Sequence, residues 1–157
     1  RMERVKEVAA LLKKKNLSFA RRSLLENAEP ASVILLDTMG ELAEVYSLGQ
    51  VAFVGRSLIR PGGGHSLIEP LSYGLPVLHG PYIENIRHVA EIAHNQGLVF
   101  QVANPEELEQ KVHTLLKNSS HRLEISEKAK IFITQQQGAA RKMADIITQC
   151  LSIAKPD

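Results

Sequence analysis

The sequence predicts an α/β fold built on a doubly wound parallel sheet. Two observations carry that expectation. Short apolar, β-branched runs of strand length alternate with segments of helical apolar spacing. A run of glycines also falls where one such strand gives way to a helix, the usual joint of a mononucleotide-binding fold.

Val5, Val8, Ala9 and Leu12 recur at helical spacing, so an amphipathic helix is expected over about 3–15. "LSFARRS" is a short extended candidate, and "SVILLD" (Ser32–Asp37) reads as a strand. Thr38-x-x-Glu41 has capping-box spacing ahead of "ELAEVYSLG". "QVAFVG" is a second buried strand, followed by the glycine loop and a helix over about 66–73. "LPVLHGP" is a third strand, and a helix over about 84–96 is stopped by Gly97. "GLVFQV" is a fourth strand. Asn104-Pro105-Glu106-Glu107 then gives a helix its cap, its proline and its acidic first turn. The rest is expected to be helical, with breaks near Ser119-Ser120 and Gly138. Runs that stay apolar without alternating are buried on both faces, as in a parallel sheet. Such a sheet usually opens on a strand, and this chain opens on a helix. Arg1-Met2 therefore reads as a cut point, with the first strand missing from a single domain over 1–157.

Composition bounds what this domain does. At 157 residues, with 44% hydrophobic and 23% charged, the chain is ordinary for a globular domain. One cysteine, Cys150, excludes an internal disulfide and fits a reducing compartment. No apolar run reaches the length of a membrane span. The net charge of +2 conceals a segregation. Residues 1–22 hold eight Lys/Arg against two Glu, residues 23–110 hold three against eleven acids, and the remainder eight against four. The basic ends read either as solvated helix faces or as a surface for anionic lipid or an anionic partner. With 4% aromatics and no tryptophan, stacking platforms are missing, so nucleic acid is not expected as a partner.

The glycine loop lies in "VGRSLIRPGGGHSLIEP". Ser66-x-x-Glu69 has capping-box spacing, and Pro70 is tolerated only near a first helical turn. Gly62, Gly63 and Gly64 thus stand between a strand's carboxyl end and a helix N-terminus, where open α/β sheets bind anions. Without Cβ atoms, their backbone amides can approach a phosphate, and a tight turn is the plainer alternative. No Lys-Ser/Thr follows, so a Walker A loop and triphosphate hydrolysis are not expected. Glu69 reads as a carboxylate for two ribose hydroxyls, or as the second member of the capping box.

Together, "DTMGELAEVYSLGQVAFVGRSL", "GGHSLIEP" and "YGLPVLHGPYIENI" resemble the C-terminal domain of the Kdo transferases, over about residues 1–141. Those enzymes move the sugar acid Kdo (3-deoxy-D-manno-octulosonic acid) from CMP-Kdo to a lipid A precursor. The resemblance implies the donor-binding half of a two-domain GT-B glycosyltransferase, inactive alone and using no cofactor. The other half would bring the acceptor site, the catalytic carboxylate and the membrane anchor at the cytoplasmic face of the inner membrane. It implies cytosine and phosphate contacts at Met39, Gly40 and Glu41, where a capped helix start is the plainer reading. A donor-facing hydroxyl is implied at Ser57, and phosphate and sugar contacts at Gly63, Gly64 and His65. Ser66, Glu69 on the ribose, and Asn85 complete the set. Ser57, His65 and Asn85 also read as ordinary loop, pre-cap and helix-start residues. The chain departs from the family's pattern at Ser66, where asparagine is usual, and at Arg56, where a second glycine is usual; its glycine loop is one residue longer. The resemblance also implies transfer with inversion and without a metal, and no Asp-x-Asp motif is present. Two other functions fit the same pattern: a GT-B transferase or epimerase using a UDP-sugar, and a non-catalytic module binding a nucleotide or a partner.

Overall fold

A computed structural model describes residues 2–27 and 29–153. Arg1 of the expected cut point lies outside them, and so does the side chain of Cys150. The chain divides into two compact units, Arg1–Val45 and Tyr46–Asp157. All strand pairs are parallel, as the apolar runs predict.

In the first unit, α1 (Met2–Lys14) half-buries Val5, Ala9 and Leu12 but leaves Val8 exposed, so its apolar stripe is narrower than the spacing suggests. Asn16, in the left-handed region at φ 54°, ends it. The Leu17 amide donates to the Leu12 carbonyl and the Asn16 amide to that of Lys13, each at 3.0 Å, which is a Schellman closure. The extended candidate "LSFARRS" is a true strand: β1 (Phe19–Arg21) pairs with β2 (Val33–Leu35), Phe19 opposite Val33. A polar knot ties the ends of both strands. Asp37 accepts the Ser23 hydroxyl at 2.7 Å, the Ser23 amide at 2.9 Å and the Arg21 guanidinium at 2.8 Å. Those bonds from Ser23, then the Arg21 charge, hold the Asp37 carboxyl down at about 2.

α2 (Leu42–Tyr46) begins later than the Thr38-x-x-Glu41 pattern predicts. The Thr38 hydroxyl donates to the Glu41 carboxylate, which also takes Arg22 at 2.9 Å. The two side chains thus meet each other rather than forming the reciprocal cap.

The second unit carries a three-stranded sheet in the order β3 (Ala52–Val54), β4 (Val77–His79), β5 (Val99–Gln101). β4 is central and buried at all three positions, Val77 facing Ala52 on one side and Val99 on the other. α4 (Arg87–Asn95) starts three residues after the expected Glu84 and ends before Gly97, at φ +70°. α5 (Pro105–Lys117) starts where predicted: Asn104 accepts the Glu107 amide at 2.8 Å. α6 (Ser119–Ile153) packs on α5 and on α3 (Ile68–Ser72), with Ile125, Ala129 and Phe132 forming its buried stripe. The expected break at Ser119 exists, as the turn at Asn118; the one at Gly138 does not, since α6 runs through it. A lone glycine lowers helix stability by only about 1 kcal/mol relative to alanine, which neighbouring turns absorb.

Candidate functional site

β3 and β4 are parallel neighbours, so the loops leaving their carboxyl ends lie side by side, where open α/β sheets bind ligands. Backbone bonds lace these loops together. The Tyr82 amide donates to the Ser57 carbonyl at 2.9 Å, Gly63 to Tyr82 at 3.1 Å, Asn85 to Gly63 at 3.1 Å, and Gly64 to Arg56 at 2.9 Å. Ser57 clips the same joint from within. Its hydroxyl donates to the Val54 carbonyl at 2.5 Å and accepts the Gly80 amide at 2.8 Å, with no surface exposed.

This lacing answers why three glycines stand together. A Cβ at Gly62 would run into the Tyr82 side chain; one at Gly63 would lie 2.5 Å from Asn85 Nδ2, and one at Gly64 2.7 Å from Ile86 Cδ1. Gly63 and Gly64 also adopt φ of +111° and +72°. Of the three amides expected to be open to a phosphate, those of Gly63 and Gly64 are donated inside the protein, and that of Gly62 has no acceptor among the described residues. The amides of His65, Ser66, Leu67 and Ile68 donate to no acceptor among the described residues. They are the donors this turn has to offer.

His65, Ser66 and Glu69 are exposed along that turn, and Asn85 is exposed opposite it. Ser66 does not cap α3: Leu67 holds the cap position with no side-chain bond. The loop-to-loop bonds, rather than a capping box, set where α3 begins. Glu69 sits in its first turn, its carbonyl accepting the Ser72 hydroxyl at 2.6 Å and its carboxylate without a hydrogen bond or ion pair among the described residues. Burial, and secondarily the charge of Glu69, push the Tyr46 hydroxyl's pKa up. Ser57 belongs to the joint and in this structure presents nothing to a ligand. These seven predicted residues stand in one region of the second unit. The other three are in the first unit: Met39 is 96% exposed, Gly40 turns at φ +88°, and the Glu41 carboxylate is engaged by Arg22 and Thr38.

Two clefts open beside this region. One, of about 670 Å³, is lined by Arg56, Arg60, Pro61, Gly62, Gly63, Glu84 and Asn85, and so lies on the glycine loop itself. The other, of about 400 Å³, is lined by Ile83, one face of α4 including Glu91 and His94, Gln101, and His79 at the end of β4. Sequence reading passed over His79, although a histidine closing an apolar strand run was its signal. His79 is 2% exposed; its Nδ1 meets the Gly80 carbonyl at 2.8 Å and its Nε2 has no partner among the described residues. Burial pushes its pKa down, keeping the ring neutral at pH 7. The cleft on the glycine loop is the stronger candidate, because two exposed arginines, the Gly62 backbone and the Glu84 carboxylate line it. Among the described residues no three His, Cys, Asp or Glu side chains converge to hold a metal.

The sequence profile of Glycosyl transferases group 1 matches residues 13–132. The 3-deoxy-D-manno-octulosonic acid transferase of Haemophilus influenzae is 34% identical over 147 residues, 92% of this chain and 34% of that protein. The one of Aquifex aeolicus is 39% identical over 111 residues, 70% of this chain and 31% of that protein. A bifunctional glycosyltransferase/methyltransferase of Fusobacterium nucleatum is 36% identical over 117 residues, 73% and 18%. The chain thus spans about a third or less of the length of these relatives. Among solved structures, the C-terminal CMP-Kdo binding domain of WaaA from Acinetobacter baumannii superposes with a TM-score of 0.79 at 29% identity, covering 86% of this chain and 70% of that one.

Proposed function

The chain belongs to the Glycosyl transferases group 1 family, and from that premise we propose that it is the donor-binding part of a Kdo transferase, holding CMP-Kdo while Kdo passes to a lipid A precursor. The likeness to a CMP-Kdo binding domain over 86% of the chain is the observation that carries this reading.

The chemistry at the site follows from what must be stabilised. As the glycosidic C–O bond breaks, negative charge builds on the phosphate of departing CMP. The free amides of the turn from His65 to Ile68 are fixed donors that need no reorganisation to meet that charge. Loss of one such donor lowers a rate by about 10²–10³. Glu69, unpaired and exposed one turn further on, accepts the ribose hydroxyls. Met39 and Gly40 supply the contacts to the base.

The acceptor hydroxyl must lose its proton to a base, and that base belongs to the remaining part of the full-length enzyme. The chain alone therefore binds donor and does not turn over, and transfer proceeds with inversion. The full enzyme works at the cytoplasmic face of the inner membrane, with the basic run of residues 1–22 suited to its anionic surface. Among the described residues no helix is long and apolar enough to cross a membrane.

Calorimetry with CMP, UMP and UDP tests the reading. CMP is expected to bind tightest, and Glu69→Ala to weaken CMP about tenfold while leaving the melting temperature unchanged. A preference for UMP or UDP would move the chain to another branch of the family, one that uses UDP-sugars.

A further inference from the structure

Arg56 and Arg60 line the glycine-loop cleft, and the contacts assigned so far use neither. Both are exposed, and among the described residues neither forms an ion pair, although Glu84 lines the same cleft. A guanidinium carries five donors and no acceptor and stays charged at any working pH. Two of them on one cleft are an unanswered demand for anionic oxygen.

Their settings differ. The Arg60 guanidinium lies over the Tyr82 ring, 4.8 Å from its centre. That contact anchors the group, whose donors have no partner among the described residues, and a planar carboxylate can meet such a fork with two parallel hydrogen bonds. Arg56 stands in the left-handed region at φ 57°, uncommon for a residue of its size. Its carbonyl is pinned by the Gly64 amide at 2.9 Å. An arginine here accepts the conformational penalty and brings a charge to the mouth of the phosphate-binding turn.

We propose that Arg56 and Arg60 form a two-anion clamp, Arg56 on the donor's phosphate and Arg60 on the carboxylate of its sugar acid. The clamp rests on the proposed function and sharpens it, since it explains how this chain tells an acidic sugar from a neutral one. Glu84, on the same cleft, stays available to accept a sugar hydroxyl.

The test is calorimetry of this chain with cytidine, CMP and CMP-Kdo as probes. Arg60→Gln should weaken CMP-Kdo about tenfold or more and leave CMP unchanged. Arg56→Gln should weaken CMP and CMP-Kdo alike, by a similar factor, and leave cytidine unchanged. Arg60→Lys, which keeps the charge without the fork, should recover only part of the loss. Wild-type binding of CMP-Kdo with both glutamine variants unaltered would overturn the clamp and leave the proposed function standing. An Arg60→Gln loss shared equally by CMP, or by cytidine, would overturn the carboxylate assignment. No binding of CMP or CMP-Kdo by the wild type would bring down the proposed function and the clamp together. Melting curves keep the comparison clean, since both side chains are exposed and neither substitution should move them.

Discussion

The two compact units are held by different forces. In residues 1–45, Ala20 is the one buried hydrophobic side chain among the described residues, and the order of the segment comes from backbone pairing and the polar knot on Asp37. From Tyr46 onward, a continuous aliphatic core runs through β3, β4 and β5 to the stripe on α6. The contrast bears on function. The loops on the glycine cleft stand on the second unit, where packing resists deformation, while Met39 and Gly40 stand on the first, where little apolar area is removed from water.

Truncation of the core breaks the comparison most forcefully. Phe132→Ala removes a fully buried ring from the core cluster, and urea unfolding should register a loss of about 3–5 kcal/mol. The equivalent truncation in the first unit, Leu11→Ala on a side chain 54% exposed, should change stability by less than about 0.5 kcal/mol. Equal losses would mean that the first unit shares a core this reading denies it.

A smaller effect separates packing from polar order within the second unit. Ser57→Ala deletes the hydroxyl that serves both the Val54 carbonyl and the Gly80 amide, leaving two buried backbone groups unsatisfied. The expected loss is about 1–3 kcal/mol. Because Gly80 packs directly on the Ser57 backbone, the joint has no room to relax around the vacancy. CMP affinity should fall only through misplacement of the loops, so a Ser57→Thr variant that kept the clip would keep the affinity. Donor binding lost in Ser57→Ala at unchanged stability would instead restore the hydroxyl to the ligand site.

The same division explains what could be read from the sequence. All five strands were legible, because a run such as "LPVLHGP" has one stable destination, the interior of a sheet. The start of α5 was legible because Asn104, Pro105 and Glu107 satisfy it with neighbours in sequence. The starts of α3 and α4 were displaced because bonds between residues 56–64 and 82–85 set them, and a capping pattern carries no information about partners twenty residues away. The place of the glycine loop between a strand and a helix was visible, but the occupation of its amides was not: glycine permits both a phosphate cradle and a close backbone crossing, and only the partner segment decides. The Asp37 knot was hidden for the same reason, its members Arg21 and Ser23 lying fourteen to sixteen residues away.

Acid should separate the two units with the gentlest perturbation, through Asp37 in the first and His79 in the second. His79 has a folded pKa below its ordinary 6.5, through burial, so its neutral form favours the native second unit. The stability it lends is present above pH 6.5 and is lost as pH falls below that value, because the unfolded chain then binds the proton first. Asp37 titrates lower still, from 3.8 when unfolded to about 2 when folded, so the first unit keeps its contribution to about pH 4 and loses it as pH falls toward 2. Hydrogen exchange resolved by residue should then show amides of β4 and β5 losing protection as pH falls below 6.5, and those of β1 and β2 only below pH 4. His79→Leu should abolish the first step and Asp37→Asn the second, each without touching the other. A single step common to both units, or a first step that survives His79→Leu, would show that the polar knot and the aliphatic core act as one cooperative structure.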